Sequence, residues 1–569
     1  MILCSEEQIR EYTGKGWWGK ETIADLFFKN AEKTPKEIAV ADPPNRTRLT
    51  VGEPLRFTYA EMRQTVERLA AGFLELGIKM DDIVMVQLPN VVELACVYLA
   101  LARIGAVASP LPVQYRTHEL RYTMKLTEPK AFVTTANFGG FNFIEMVRGL
   151  QPEFPSLKTV VGIGANLPEG VVSFWDLVSS SRSEKTLENY LTGINLTAND
   201  VFTICWTSGT EADPKGVPRS HNHWISIAGV LVEGCEMDPG CNILNPFPFI
   251  NMASIGGMFV PWLLTGGKFV LHHPLDLQVF LGQIQAEKIN YTVVPPALLN
   301  MLLQNPAILG AVDISSVKTI GSGAAPLSPW MVREYQEKYG IYVVNIFGSN
   351  EGISLVSGPK DFPDPDERAR YFPRWGVPGY TWKVRMGNQM STKLVDPKTK
   401  EVITEKGVPG EMCIKGPAVF AGYYRRPDLT KKAFDEEGYF NTGDLFAIEG
   451  EKDNLNRYLF CGRSKDLIIR GGMNISPEEL EYLIIEHPKV AEVAVVGYPD
   501  EKLGEKVCAV VVPAKGENVF LEEIIEFLKK KDIAVYKLPE KIMVVESLPR
   551  NPVGKVLKRE LRDFVKDNA

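Results

Sequence analysis

The chain has 569 residues, with 63 Lys and Arg against 70 Asp and Glu and a formal net charge of -7. That length exceeds one compact core and points to roughly two to four domains. The acidic balance gives a general nucleic-acid-binding role no electrostatic support. The apolar (45%) and charged (23%) fractions are those of an ordinary globular protein rather than a disordered or membrane-embedded one. The eight cysteines are scattered with no C-x-x-C pair, which argues against a zinc site or a disulfide framework and for a reducing cytoplasm.

The first residues, MILCSEEQIREY, lack the basic-then-apolar order of a secretory signal. The most apolar long stretch, Val91 to Val113, contains Glu93 and Arg103 and has helical spacing up to Gly105. It reads as a buried helix followed by a strand, not as a membrane span. Strand-like runs then alternate with helical patterns. DIVMVQL precedes the helix from about Val91, KFVLHH precedes LDLQVFLGQIQAEK, and NYTVVPP precedes ALLNMLLQ. VKTIGSG precedes SPWMVREYQEKYG, and IYVVNIFG follows. This rhythm predicts α/β layers with largely parallel sheets. Ligand loops of such sheets lie beyond the strands' C-terminal ends, which marks Gly321 to Pro326 and Phe347 to Gly352.

The pattern changes after about Gly462. SPEELEYLIIEH reads as a helix capped by Ser476 with Glu479 three residues on. AEVAVVGYP and EKVCAVVVPA read as strands joined by DEKLG, followed by the helix FLEEIIEFLKKK and the strand KIMVVES. The lysines from Lys529 to Lys531 read as a solvated helix face, with Glu526 and Lys530 placed to pair at i,i+4. The expected organisation is a large N-terminal domain of layered α/β sheets (residues 1–463) and a small mobile α+β C-terminal domain (464–569), joined by a short hinge.

One loop carries chemistry. T-S-G-T-E-A-D-P-K-G, Thr207 to Gly216, has the small, hydroxylated, glycine-rich start of a phosphate loop and a lysine near its end. It is not G-x-x-x-x-G-K-[ST], because Pro214 precedes Lys215 and Gly216 follows it. Four other pieces accompany it in order: NIFGSNEG with Glu351, YFNTGDL with Asp444, CGRSKDLIIRGGMNISPEE with Arg463 and Lys465, and RNPVGKVLKREL with Lys555. Together these five pieces resemble the adenylate-forming superfamily, which includes acyl-CoA synthetases, peptide-synthetase adenylation domains and firefly luciferase. The resemblance runs from FTYAEM near Phe57 to the end of the chain.

The resemblance implies a two-step reaction with ATP, Mg²⁺ and coenzyme A. A carboxylate attacks the α-phosphorus, pyrophosphate departs, and a thiol then displaces AMP from the mixed anhydride. Negative charge accumulates in the first step, so cations should surround it. The implied phosphate cradle is Thr207, Ser208, Gly209, Thr210 and Lys215. Glu351 is the implied Mg²⁺ ligand, and Lys555 reaches the carboxylate and α-phosphate from the small domain. Asp444 accepts from the ribose hydroxyls, with Arg463 nearby. Gly323, Ala324, Ala325, Pro326, Phe347 and Gly348 are the expected nucleotide slot, with Phe347 stacking on the base. Lys465 is the implied hinge, and Gly471 and Gly472 would line a pantetheine tunnel. His221 reads better as a packing residue near the loop than as a catalyst, and Arg470 is open between an active-site and a structural role.

The segment NPFPFINMASIGGMF, Asn245 to Phe259, contains no acid, which argues against an α-amino acid substrate. Phe249, Ile250, Asn251, Gly321 and Ser349 are the candidate acid pocket, and Gly256–Gly257 the candidate space for a ring or short chain. Phe247 and Met258 are equally well explained as core. Phosphate loop and segment look most like the cyclohexanecarboxylate–CoA ligase and 2,3-dihydroxybenzoate–AMP ligase branch, implying an alicyclic, aromatic or medium-chain acid. The stretch after Lys555, VLKRELRDFVKDNA, reads as carrying no carrier-protein domain. Coenzyme A is the favoured acceptor, a separate carrier protein the alternative, and a non-catalytic nucleotide-binding regulator the reading from another class. The oligomeric state is open, a homodimer included.

The phosphate loop departs from the usual T-S-G-T-T-G-x-P-K-G, with Glu211-Ala212 replacing Thr-Gly, and Asn350 stands where Thr is frequent before the glutamate. Glu211 is expected to turn away from the phosphates or to meet them through Mg²⁺ or a cation such as Arg219. Glu211→Thr should therefore not raise ATP affinity greatly at unchanged turnover. An ATP titration of acid-dependent pyrophosphate release measures this, and a large gain would mark the side chain as a plain liability.

Overall fold

The computed structural model describes residues 1–179, 184–207, 214–451, 454–463, 465–471, 473–531, 533–551 and 555–568. The β-branched run Ile83–Gln87 forms the middle of a seven-stranded sheet and is buried along its whole length. Parallel strands covered on both faces require this continuous apolarity. Outward on one side lie Val107–Pro110, Val201–Thr207 and Lys215–Ser220; on the other lie Ala131–Thr135, Thr159–Ile163 and Val171–Ser173. All pairings are parallel except the edge hairpin of Val201–Thr207 with Lys215–Ser220. The helix Val92–Ile104 packs beneath this sheet and ends at Gly105, whose φ of 74° provides a left-handed cap.

A second sheet of eight strands is parallel through Thr319–Gly323, Tyr291–Val293, Ile243–Asn245 and Phe269–Leu271, and antiparallel at both edges. The helices Leu277–Glu287, Pro296–Gln304 and Pro329–Tyr339 connect its strands, as their patterns predict. Tyr342–Gly348 ends beside Thr319–Gly323, so the loops at 323–326 and 348–352 emerge from the same edge.

A third, six-stranded sheet is antiparallel throughout and was not expected from the sequence pattern. It includes Pro409–Lys415, Phe440–Glu451 and Asn454–Arg463. After Arg463 the chain enters a separate five-stranded sheet, beginning at Ile468. In Val490–Asp500 and Gly504–Pro513, alternate residues feed two cores. Val495, Val507, Ala509 and Val511 face the helices Pro477–Ile484 and Leu521–Lys530. Ala494, Val496, Cys508 and Val510 face the helix Lys558–Asp567. Ser476 caps its helix by accepting from the Glu479 N–H at 3.1 Å. The expected Glu526–Lys530 pair does not form; Lys531 pairs with Glu486 and Lys489 with Glu523 instead. All eight cysteines are free thiols, seven buried and Cys461 half-buried. No helix among the described residues is long and apolar enough to cross a membrane.

One buried ion cluster fixes the large domain. Arg46 donates to Asp42 and Glu93, with one Nη1–Oε2 distance of 2.8 Å to Glu93, and all three side chains are buried. Asp42 also accepts the N–H groups of Val92 and Leu55, so the cluster ties the start of the buried helix to an N-terminal loop. Removing one partner leaves an uncompensated buried charge. Arg46→Met is expected to cost about 3–5 kcal/mol, read as a lowered urea midpoint of the first unfolding transition, with the small domain's transition unmoved.

Candidate active site

The edge hairpin sets the first half of the site. Its register places Thr207 opposite Lys215, closing the loop between them. Ser208, Gly209, Thr210, Glu211 and Asp213 lie outside the described residues. Lys215 directs its ammonium over the ring of Tyr423, 4.8 Å from the centroid. Tyr423 in turn donates its phenol to Glu351 Oε1 at 3.1 Å. The Phe420 N–H donates to the Glu351 carbonyl at 2.9 Å, and the Tyr424 N–H to the Gly216 carbonyl at 2.9 Å. The 420–424 segment thus grips both the phosphate hairpin and the Glu351 turn. Gly352 follows at φ 113°, and a Cβ there would lie 2.1 Å from the Ala418 carbonyl, so only glycine fits.

Asn350 joins three pieces. Its Oδ1 accepts the Met252 N–H at 2.9 Å, its Nδ2 donates to the Trp206 carbonyl at 3.2 Å, and its own carbonyl accepts Arg219 Nη1 at 3.0 Å. Arg219 is fully buried and gives Nη2 to the His223 carbonyl at 3.1 Å, while its Nε has no partner. Burial pulls its guanidinium down to about 10, against the attraction of Cys205 and Glu351. His221 stacks on Phe202 with centroids 5.4 Å apart, and its Nδ1 accepts the Ile23 N–H. That is a packing role, as its pattern suggests.

The second half comes from the antiparallel sheet and the small domain. Asp444 and Arg463 are register partners on adjacent strands, with Nε–Oδ1 3.2 Å. Asp444 is buried, and that burial pushes its carboxyl up to about 6 in spite of Arg463 and Lys555 beside it. Lys555 enters from the small domain into the electrostatic reach of Arg463, Asp444, Asp466 and Lys465. Burial first, and Arg463 second, pull its ammonium down to about 8. The Lys555 N–H donates to Asn551 Oδ1 at 2.8 Å, and its carbonyl accepts the Asn551 N–H at 2.9 Å. Three residues on, Lys558 bridges Glu478 (2.7 Å) and Glu481 (2.9 Å), which anchors this segment to the helix Pro477–Ile484. Arg370 of the large domain donates to the Tyr482 hydroxyl of the small domain at 3.0 Å.

Between the halves lies the expected nucleotide slot. Gly323 passes so close to the neighbouring strand that a Cβ would sit 2.0 Å from the Ile346 carbonyl. Ala324 has φ 65°, and Ala324 and Ala325 are exposed, with Pro326 half-buried. Phe347 is half-buried, one side wedged against Phe446 and Phe460 at 5.2 Å each, and Gly348 beside it is exposed.

The acid-pocket segment is partly corrected. Phe249 is wholly buried among Tyr98, Phe259 and Phe269, and its backbone bonds Asn90 and Tyr98, so it is core. Met258 is core as well, while Phe247 is half-buried. Gly321 is not open space either: a Cβ would meet Ile346 at 2.7 Å and the Tyr291 hydroxyl at 2.8 Å. Asn251 caps a π-helix, Met252–Phe259, by accepting the Ala253 N–H. Such helices concentrate at functional sites. Gly256 serves its packing, since a Cβ would meet Met252, Ile227 and Trp224 within 3.0 Å. Gly257 keeps space: the nearest atom to its Cβ position is the Met252 carbonyl at 3.6 Å. Ile250 is buried, and the buried Ser349 hydroxyl has no hydrogen-bond partner.

Of the remaining candidates, Arg470 does not join this cluster, while Lys465 lies within electrostatic reach of Lys555. Arg470 pairs with Glu540 at 2.6 Å within the small domain. Gly471, at φ 57°, turns the hairpin Ile468–Ile475 and donates to the Leu503 carbonyl; Gly472 lies outside the described residues. Lys465 is exposed between the third sheet and the small domain's sheet. Sequence reasoning missed Tyr423, whose G-Y-Y setting gives no local sign of its two distant partners. Among the described residues no group of three His, Cys, Asp or Glu side chains forms a metal cage. A single carboxylate, as at Glu351, is the donor set by which Mg²⁺ is held jointly with phosphate oxygens and water.

Two family models match the chain: AMP-binding enzyme over residues 27–424 and AMP-binding enzyme C-terminal domain over 479–555. The medium-chain fatty-acid–CoA ligase of Escherichia coli K12 is 30% identical over 99% of this chain and 93% of its own length. The 2,3-dihydroxybenzoate–AMP ligase of Bacillus subtilis is 29% identical over 99% and 97%. The crystal structure of ATP-bound MatB from Rhodopseudomonas palustris superposes with a TM-score of 0.77 at 28% identity, covering 96% of this chain and 99% of that one. The family model over residues 27–424 and the Escherichia coli relative show that the chain belongs to the AMP-binding enzyme family and is an AMP-forming ligase.

Proposed function

We propose that the chain joins a carboxylic acid to coenzyme A through an acyl-adenylate, and that the acid is alicyclic, aromatic or of medium chain length. The observation that carries this is Lys555 of the small domain standing in the field of Asp444 and Arg463, with Glu351 within electrostatic reach of the same Asp444. In the first step the protonated Lys555 steadies the attacking carboxylate and the α-phosphate oxygens, while Lys215 holds the departing phosphates. Ionised Asp444 accepts from the ribose hydroxyls, with Arg463 beside it. Glu351 would hold Mg²⁺, which neutralises phosphate charge when bound. Ser349, Ile250 and the space at Gly257 support an apolar acid site with one polar contact. In the second step a thiolate attacks the acyl carbonyl and AMP leaves. The domains divide at 463/464, with Lys465 as the hinge and Gly471–Gly472 on the thiol's path.

The deciding experiment is product mass spectrometry with ATP, Mg²⁺ and a panel of acids, with and without coenzyme A. An acyl-CoA with stoichiometric AMP is expected. Acyl-AMP persisting in coenzyme A would overturn the acceptor and favour a separate carrier protein.

Lys555→Ala should lower the adenylation kcat by about 10²–10³-fold, the usual loss for one aligned donor. Asp444 gains its proton below about pH 6 and Lys555 loses its above about pH 8, so kcat/KM for ATP should be bell-shaped between these limits. Lys555→Arg should remove the alkaline limb and keep the acid one, measured as pyrophosphate release from pH 5 to 10. Gly257→Val should lower kcat/KM for ring acids more than for short straight chains.

A further inference from the structure

Lys215 and Glu351 present a problem that the functional reading leaves open. Both line one phosphate site, and they carry opposite charges. In the empty enzyme they would gain by pairing with each other, and a paired lysine is a poor phosphate ligand. Yet no ion pair joins them. Each has instead taken a different part of one side chain: Lys215 lies over the Tyr423 ring at 4.8 Å, and Glu351 Oε1 accepts the Tyr423 hydroxyl at 3.1 Å.

We propose that Tyr423 is a positioning residue that keeps Lys215 and Glu351 apart and oriented, so that each remains available to its own part of the Mg²⁺–ATP complex. The inference rests on the ligase reading of this site and specifies how the site is held before substrate arrives.

The chemistry suits the task. A ring face attracts an ammonium without supplying a counter-charge, so Lys215 is held but not neutralised. A phenol donates one hydrogen bond to a carboxylate and leaves the carboxylate charge in place. An arginine or lysine at 423 would compete for the phosphates, and an aliphatic residue would hold neither partner.

The ring is itself fixed. It packs edge-on against Phe420 with centroids 4.9 Å apart, its N–H donates to Thr430 Oγ1 at 2.9 Å, and it is only 8% exposed. The neighbouring backbone completes the clamp, through Phe420 to the Glu351 carbonyl and Tyr424 to the Gly216 carbonyl. A side chain from the loop next to the third sheet thereby sets the spacing between residues of the first and second sheets.

The two functions of the side chain can be separated. Calorimetric binding of ATP, with Mg²⁺ and in excess chelator, is measured for the full-length wild type, Tyr423→Phe, Tyr423→Leu, Glu351→Gln and the Tyr423→Leu/Glu351→Gln double variant. Tyr423→Phe keeps the ring and loses the phenol, so the enhancement of ATP binding by Mg²⁺ should fall several-fold while metal-free ATP binding stays near wild type. Tyr423→Leu should weaken metal-free ATP binding as well, because Lys215 is then free to pair with Glu351. In the Glu351→Gln background that second loss should shrink, since Glu351 can no longer capture Lys215. A merely structural role for Tyr423 would make the leucine variant equally weak in both backgrounds, and that result overturns the proposal. So does a Tyr423→Phe variant with an unchanged Mg²⁺ enhancement. Wild-type protein that binds no ATP under either condition would instead overturn the ligase reading of the site on which the proposal rests.

Discussion

A pocket for a polyphosphate must hold cations that are charged, close together and not already satisfied. Each condition opposes the others. Like charges repel, burial favours the neutral form, and any nearby acid offers a cheaper partner than the ligand. The proposed site distributes its charges over separate layers. Lys215 comes from the edge of the first sheet, Glu351 from the turn beyond the second, Asp444 and Arg463 from the third, and Lys555 from the small domain. The scaffold, not the local sequence, sets their distances.

The links between layers are correspondingly specific. Asn350 ties the strand before the phosphate loop to the π-helix of the acid segment, and Arg219 supports the Asn350 carbonyl from below. An arginine buried against carbonyls is costly unless it fixes something. Here it holds the turn that carries Glu351. On the small domain, Lys558 between Glu478 and Glu481 does similar work for the segment bearing Lys555.

The parallel layers were legible because their strands are short apolar, β-branched runs, several of them followed directly by a turn and a helix. Lys215, Glu351, Asp444, Arg463 and Lys555 stood out because the five short motifs that carry them occur together and in order along the chain. The antiparallel sheet was not legible. Its register shifts between Glu411 and Cys413, between Leu445 and Phe446 and between Glu449 and Glu451, and each bulge breaks the period of two by which a half-buried strand is recognised. Phe249 and Gly321 misled because apolar character or a missing side chain does not say which way a position faces. Here Phe249 closes an aromatic core, and Tyr291 and Ile346 fill the room beside Gly321. Tyr423 was invisible because both of its partners are far away in the chain.

The burial of the cysteines has a consequence of its own. A mixed anhydride of an acid with AMP is a strong acyl donor, and any thiolate within reach would intercept it. Burial pushes the thiols of Cys4, Cys205, Cys235, Cys241, Cys413, Cys461 and Cys508 up to about 12 and that of Cys96 well above its ordinary value. Cys205, two residues before Thr207, and Cys461, two residues before Arg463, are the nearest of them in sequence to the site, and burial favours the protonated form of both. Burial thus keeps the nucleophilic thiolate of each cysteine scarce, so the protein offers an activated acyl group little internal sulfur to react with.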